Sequence, residues 1–113
     1  MTRNHTLKLR LVGKRDLRFL YQLLKERDSK ANISHIEMPS YEQHVKFVMS
    51  KPYSKWYIIE KNTKKIGSVY ITKNNEIGIF LKKIFQGQKL AEKTLNLLIV
   101  MNPRKRYLAN VSP

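Results

Sequence analysis

The stretch "EIGIFLKKIFQGQKLAEKTLNLL", Glu76 to Leu98, decides the fold. Its opening, "EIGIFLK", is apolar and β-branched and reads as a strand. A short loop with one glycine, Gly87, follows. "QKLAEKTLNLLIVM" then reads as a helix, with Leu90, Leu97, Leu98 and Met101 as buried candidates and Pro103 as its stop. A strand–loop–helix joint with glycine has a physical consequence. The first turn of a helix leaves N–H groups without partners, and these sum with the peptide dipoles into a partial positive charge. An anion binds there without a dedicated side chain. Glycine permits positive φ and close approach of a large ligand. Gln86 to Ala91 therefore suits a pyrophosphate, or it is a plain strand-to-helix turn that Gly87 eases. Neither the Walker pattern nor the dinucleotide fingerprint occurs.

Working outward, "LKLRLV" (Leu7–Val12) alternates apolar and polar residues, the period of a half-buried strand. After "GKRD", with Asp16 near a helix start, "LRFLYQLLKERD" sets Leu17, Leu20, Tyr21 and Leu24 on one helical face. "SKANISHIEMP" reads as a loop. Ser40 with Gln43 three residues on is a capping-box signature. It opens the helix "YEQHVKFVMSK", whose apolar residues include Val45, Phe47, Val48 and Met49. "KWYIIEK" (Lys55–Lys61) is a strand, "NTKK" a turn, and "KIGSVYITK" and "EIGIFLK" two more strands with "NN" between them. "KRYLANV" (Lys105–Val111) is a last strand. The expected class is α/β (α+β), one domain over 1–113, in the order β-α-α-β-β-β-α-β, without repeats or linkers.

Composition bounds the function. The 113 residues suffice for one modest core, and no cysteine is present for disulfide or thiolate chemistry. No apolar run approaches membrane-spanning length, and "MTRNHTLKLRLV" lacks the apolar core of a signal peptide. A soluble cytoplasmic protein is the default expectation. The formal charge of +15 favours anionic partners. It is spread along the chain, with short clusters at Lys14-Arg15, Lys64-Lys65, Lys82-Lys83 and Arg104-Lys105-Arg106, so a solvated basic surface explains it equally well. No His, Asp and Glu cluster has metal-ligand spacing.

The element order and the loop together resemble the GNAT family of N-acetyltransferases. The family pattern at this joint is Gln/Arg-x-x-Gly-x-Gly/Ala. Here Gln86-Gly87-Gln88-Lys89-Leu90-Ala91 matches at both ends, and Lys89 replaces the central glycine. Met38, His44 and Phe47, in "MPSYEQHVKF", resemble a pattern in members that acetylate amino groups of nucleotide-linked sugars. The resemblance implies a mixed, mainly antiparallel sheet flanked by helices, with acetyl-coenzyme A as cofactor. Gln86 through Ala91 would hold the pyrophosphate. The pantetheine arm would lie along Ile79, Phe80, Leu81 and Lys82 like an added strand, and a backbone N–H near Phe80 would polarise the thioester carbonyl. Asn110 matches a polar contact to the coenzyme, or is a strand-end turn residue. Lys89 in the first helical turn would favour the helix over glycine while its Cβ obstructs the pyrophosphate.

The implied reaction is direct attack of a primary amine (amino sugar, polyamine or peptide amine) on the thioester, with a base to take the proton. Glu76 stands where some members keep that base, though a solvated hairpin corner is an equal reading. His35 and Glu37 are candidates for gripping the acceptor, and His44 either joins them or packs. The resemblance also implies a further helix and two strands that the 113 residues do not contain, so a fragment, a coenzyme-binding domain without turnover, or a homo-oligomer completing the sheet are expected alternatives. The rival class is a basic nucleic-acid-binding protein, with Trp56, Tyr57, Tyr70 and Phe80 stacking bases. No RNA-binding signature supports it.

Overall fold

The computed structural model describes residues 7–31, 39–87, 89–103 and 108–111. Five strands form one sheet in sequence order, β1 (Leu7–Leu11), β2 (Lys55–Lys61), β3 (Lys64–Ile71), β4 (Glu76–Leu81) and β5 (Leu108–Val111). The first three pairings are antiparallel; β4 and β5 run parallel, with α3 (Leu90–Met101) as the crossover. Two helices, α1 (Leu17–Ala31) and α2 (Tyr41–Met49), stand between β1 and β2. The expected class and element order are therefore observed.

Local chemistry explains the joints. Asn62 and Thr63 both take positive φ between Lys61 and Lys64, the geometry of a tight hairpin whose twist matches its strands. Ser40 and Gln43 form the expected capping box: Ser40 Oγ accepts from the Gln43 amide at 3.1 Å, and Gln43 Oε1 from the Ser40 amide at 2.9 Å. Asp16 lies in a 3-10 turn (Lys14–Asp16) before α1, fully buried. It accepts from the Gly13 amide at 2.7 Å, from Arg10 at 2.8 and 3.0 Å, and pairs with Lys65 at 2.8 Å. Burial alone would push the Asp16 carboxyl up. The hydrogen bonds from Arg10, Lys65 and Gly13 overcome that and hold it well below the usual carboxylate range. This network clamps the start of α1 to β1 and β3.

The sheet buries both faces. Against α3 lie Tyr57, Ile59, Val69, Ile71, Ile77 and Ile79, packed with Leu90 and Leu98. Against α1 and α2, Ile58 packs with Leu20 and Val48. Two expectations are corrected, the end of α1 and the buried face of α3. Helix α1 continues through Ala31, so Ser29 to Ala31 are helical rather than loop. In α2 the buried pair is His44 and Val48, one turn apart, while Phe47 and Met49 are about half exposed (46% and 49%). In α3 the buried stripe is Leu90, Thr94 and Leu98, and Met101 is exposed, because i, i+4 spacing sets one face whatever the polarity of the middle residue.

Candidate functional site

The site grows from β4. Side chains alternate along a strand. Ile77, Ile79 and Leu81 pack toward α3. Glu76, Gly78 and Phe80 therefore occupy the opposite face, that of α1 and α2. Across β3 the register pairs Gly78 with Tyr70 and Phe80 with Ser68. Both pairs depend on glycine. A Cβ on Gly78 would lie 2.3 Å from the Tyr70 ring, and one on Gly67 would lie 2.2 Å from the Phe80 carbonyl oxygen. Gly78 thus makes the space that the Tyr70 ring fills.

On this face lies a cavity of about 370 Å³. Helix α1 contributes Leu20, Leu23 and Leu24, and α2 contributes Gln43, His44 and Phe47. The sheet side contributes Trp56, Ser68, Tyr70 and Phe80, with Tyr53 from the segment before β2 and Pro39 from the segment before α2. The aromatic rings brace one another. Tyr53 stacks on Tyr70 with centroids 3.9 Å apart and planes 5° apart, and its ring meets that of Trp56 edge-on at 4.8 Å. None of the described lining residues is acidic or basic at neutral pH except His44. Burial pushes the His44 pKa down, against a hydrogen bond to the Leu17 backbone that raises it, and so favours the neutral ring. Its Nε2 has no hydrogen-bond partner, and neither has Trp56 Nε1. Each orphaned polar atom costs about 1–3 kcal/mol.

At the other end of β4 the chain passes through a second 3-10 turn (Lys83–Phe85) into the loop. Gln86 folds back, its Nε2 donating to the Leu81 carbonyl at 3.1 Å, and so ties the loop to the strand. Gly87 takes φ +81°, with no atom within 4 Å of where a Cβ would stand. Lys89 is the N-cap of α3 in the left-handed region, φ 60° and ψ 15°, and makes no side-chain cap bond. This corrects the expectation of a first-turn lysine favouring the helix. Helical bonding begins with the Lys93 amide on the Lys89 carbonyl, which leaves the preceding N–H groups of Leu90, Ala91 and Glu92 ahead of the first helical bond. A lysine stands at a backbone position that glycine adopts without strain. The open Gly87 and the uncapped helix start fit a pyrophosphate. Glu26 of α1 accepts from the Lys83 amide beside this loop.

Glu76, half-buried, opens β4 on the cavity face, its amide held by Thr72 Oγ1 at 3.0 Å; it is not in the cavity lining. At ~3.3 Å per residue, it lies about 13 Å along the strand from Phe80. Ile79 is fully buried in the core, Phe80 and Leu81 are half-buried, and Leu90 and Ala91 begin α3. Lys82 leaves β4 with its amide on the Ile66 carbonyl at 2.8 Å. Asn110 pairs with Gly78 across the parallel ladder, and the β4–β5 rungs run from Glu76 to Ile79. His35, Glu37, Met38 and Gln88 lie outside the described residues. Of the acceptor candidates described, His44 lines the cavity. Ser68, Tyr70 and Trp56 were legible as partners of Phe80 only through register. Tyr53, in "KPYSK", carries no sequence signal. Tyr57 is 5% exposed on the α3 side, with its hydroxyl bonded by Asn102 Nδ2 at 3.1 Å, and offers no base-stacking face. Among the described residues no group of three could hold a metal ion, and no helix is long and apolar enough to cross a membrane.

No family model matches the sequence, and no curated protein does. Solved structures do match. The acetyltransferase from Salmonella typhimurium that modifies the N-terminal serine of ribosomal protein L7/L12 aligns with 23% identity and a TM-score of 0.67, over 94% of this chain and 70% of that one. A GNAT family acetyltransferase from Brucella melitensis, in complex with acetyl-coenzyme A, aligns with 12% identity and a TM-score of 0.59, over 87% and 69%. A chimeric spermidine N-acetyltransferase from Vibrio cholerae aligns with 22% identity and a TM-score of 0.61, over 82% of this chain and 60% of that one. The chain has the fold of these acetyltransferases and spans 60 to 70% of their length.

Proposed function

We propose that the chain binds acetyl-coenzyme A and transfers the acetyl group to a primary amine. The joint between β4 and α3 carries this reading: Gly87 at positive φ, Lys89 in the left-handed region, and an uncapped helix start together form an anion cradle. It follows the strand along which the coenzyme's arm would lie, in a fold shared with acetyltransferases. The amides that open α3, with the Gly87 backbone, would hold the pyrophosphate. Gln86 keeps the cradle against β4. Backbone groups of Ile79 to Lys82 would hold the arm, since the Ile79 side chain is already committed to the core.

When bound, acetyl-coenzyme A supplies an acetyl thioester, whose C–S bond breaks as the amine nitrogen forms its C–N bond. The chain's own residues must bring the amine and take one proton. The cavity lined by His44, Tyr70 and Phe80 is the acceptor site. Glu76 shares the face of Gly78 and Phe80 and is the carboxylate proposed to accept the proton, directly or through water. The acceptor is an amino sugar, a polyamine or a peptide N-terminus. The test pairs thermal shift with turnover. Acetyl-coenzyme A should raise the melting temperature and a single-stranded oligonucleotide should not. Thiol release should appear with one class of amine. Stabilisation by the oligonucleotide alone, lost in moderate salt, would overturn the proposal in favour of nucleic-acid binding.

A further inference from the structure

The cavity's own chemistry selects among amines. Among the described residues its lining is aromatic, aliphatic or uncharged, so those side chains favour an apolar body over a second ammonium group. The whole chain carries +15, which repels a polycation before it arrives. The walls are aromatic and aliphatic, and Tyr53 and Tyr70 already stack face to face, so the remaining space receives an apolar body against ring edges and faces.

We infer that this cavity takes a small primary amine bearing an aromatic or branched apolar group, uncharged apart from the amine, and not a polyamine. This rests on the acyl-transfer reading, in which the cavity is the acceptor site, and it names the acceptor's class. The amine itself points toward β4 at Phe80, and the apolar group is enclosed by the rings of Trp56, Phe47 and Tyr70.

Trp56 is the chain's single tryptophan, so its fluorescence reports the cavity directly. The intact chain is titrated with phenethylamine, cyclohexylamine and spermidine, without coenzyme. The two apolar amines should perturb Trp56 emission saturably, and spermidine should not. Phe47 is 46% exposed at the rim, so its replacement spares the core. Phe47→Ala should weaken phenethylamine binding roughly tenfold, as loss of a buried aromatic contact does. Phe47→Asp, which adds a carboxylate at the rim, should raise spermidine affinity at the expense of phenethylamine. Saturable binding of spermidine to the native chain, or no response to either apolar amine, would overturn the inference. Acetyl-coenzyme A binding is measured separately by thermal shift. Its failure, with phenethylamine still perturbing Trp56, would overturn the acyl-transfer reading and leave the cavity's ligand class standing.

Discussion

Replacing Lys89 by glycine should make the protein both more stable and tighter for coenzyme A. Lys89 holds φ 60° and ψ 15° as the N-cap of α3. An L-residue in that region costs about 1–2 kcal/mol. Glycine pays no such strain, but its greater freedom in the unfolded chain costs about 0.5–1 kcal/mol. No cap bond is lost, since the Lys89 side chain makes none. The net is a gain of about 0.5–1 kcal/mol, a rise of roughly 3 °C in melting temperature for a domain of this size. Binding has two opposed contributions. The ammonium adds an exposed attraction to phosphate of about 0–1 kcal/mol. In the proposed complex the Cβ and stem would hold the pyrophosphate off several amides at once, each bond being about 1 kcal/mol. Lys89→Gly should therefore improve coenzyme A affinity by roughly fivefold, about 1 kcal/mol. Lys89→Ala keeps the Cβ and the strain, so it should gain neither stability nor affinity. Lys89→Asn tolerates the left-handed region but keeps the Cβ, so it should gain stability without affinity. Calorimetry with coenzyme A at two salt concentrations, beside thermal melts, separates these. If both the glycine and alanine variants bind more weakly, and the loss shrinks at high salt, Lys89 is a phosphate ligand and the steric reasoning is wrong.

Four further outcomes are expected. Gly78→Ala forces the Tyr70 ring from its seat and should cost about 1–3 kcal/mol in urea unfolding while quenching the Trp56 response to ligands; an unchanged protein would mean that Tyr70 has another rotamer to take. Asp16→Asn removes the anion from beneath Arg10 and Lys65, and should cost about 3–5 kcal/mol in the same assay. Stability should fall with acid in two stages. His44 has a lowered folded pKa, so below about 6.5 the unfolded chain takes up a proton that the folded one refuses, and stability drops until pH passes the folded value. Asp16 is lowered too, so its contribution is intact above about 3.9 and is lost as pH falls further; a His44→Gln variant should abolish only the first stage. Glu76→Gln should lower turnover most near neutral pH and less at high pH, where free amine is abundant, with coenzyme affinity unchanged; an unaltered pH–rate profile would remove Glu76 from the mechanism.

The strands were legible because period-2 alternation and turn chemistry agree along the second half of the chain. Lys55–Lys61 is observed to the residue, and the capping box of Ser40 and Gln43 forms as read. Helix faces were less legible. Apolarity pointed to Met101, whereas geometry exposed it and buried Thr94, because position on the stripe outweighs polarity when neighbours supply the burial. The strand–helix joint was visible through its glycine, but the backbone sign of Lys89 was not, since lysine rarely takes positive φ. The cavity could not be read at all. It needs Tyr53 from a loop, Trp56 and Tyr70 from two strands and His44 from a helix, and only the register of β2 with β3 and β3 with β4 brings them together.

That register gives β4 two tasks at once. Its odd residues, Ile77, Ile79 and Leu81, meet Leu90 and Leu98 and so fix where α3 begins. Its even residues, Glu76, Gly78 and Phe80, face the cavity side. The cradle at the start of α3 and the aromatic cavity are thus held by opposite faces of one six-residue strand. A slip of one residue would exchange the faces, burying Glu76 against α3 and turning the isoleucines into the cavity. The two glycines guard against that slip. Gly67 admits the Phe80 carbonyl and Gly78 admits the Tyr70 ring only in the observed pairing, since a Cβ at either would stand within 2.3 Å of its partner. The distance between the loop that opens α3 and the cavity is therefore set by strand register rather than by loop conformation. Substitutions at Gly67 or Gly78 should disturb both binding events together, whereas substitutions at Lys89 or Phe47 should disturb one each.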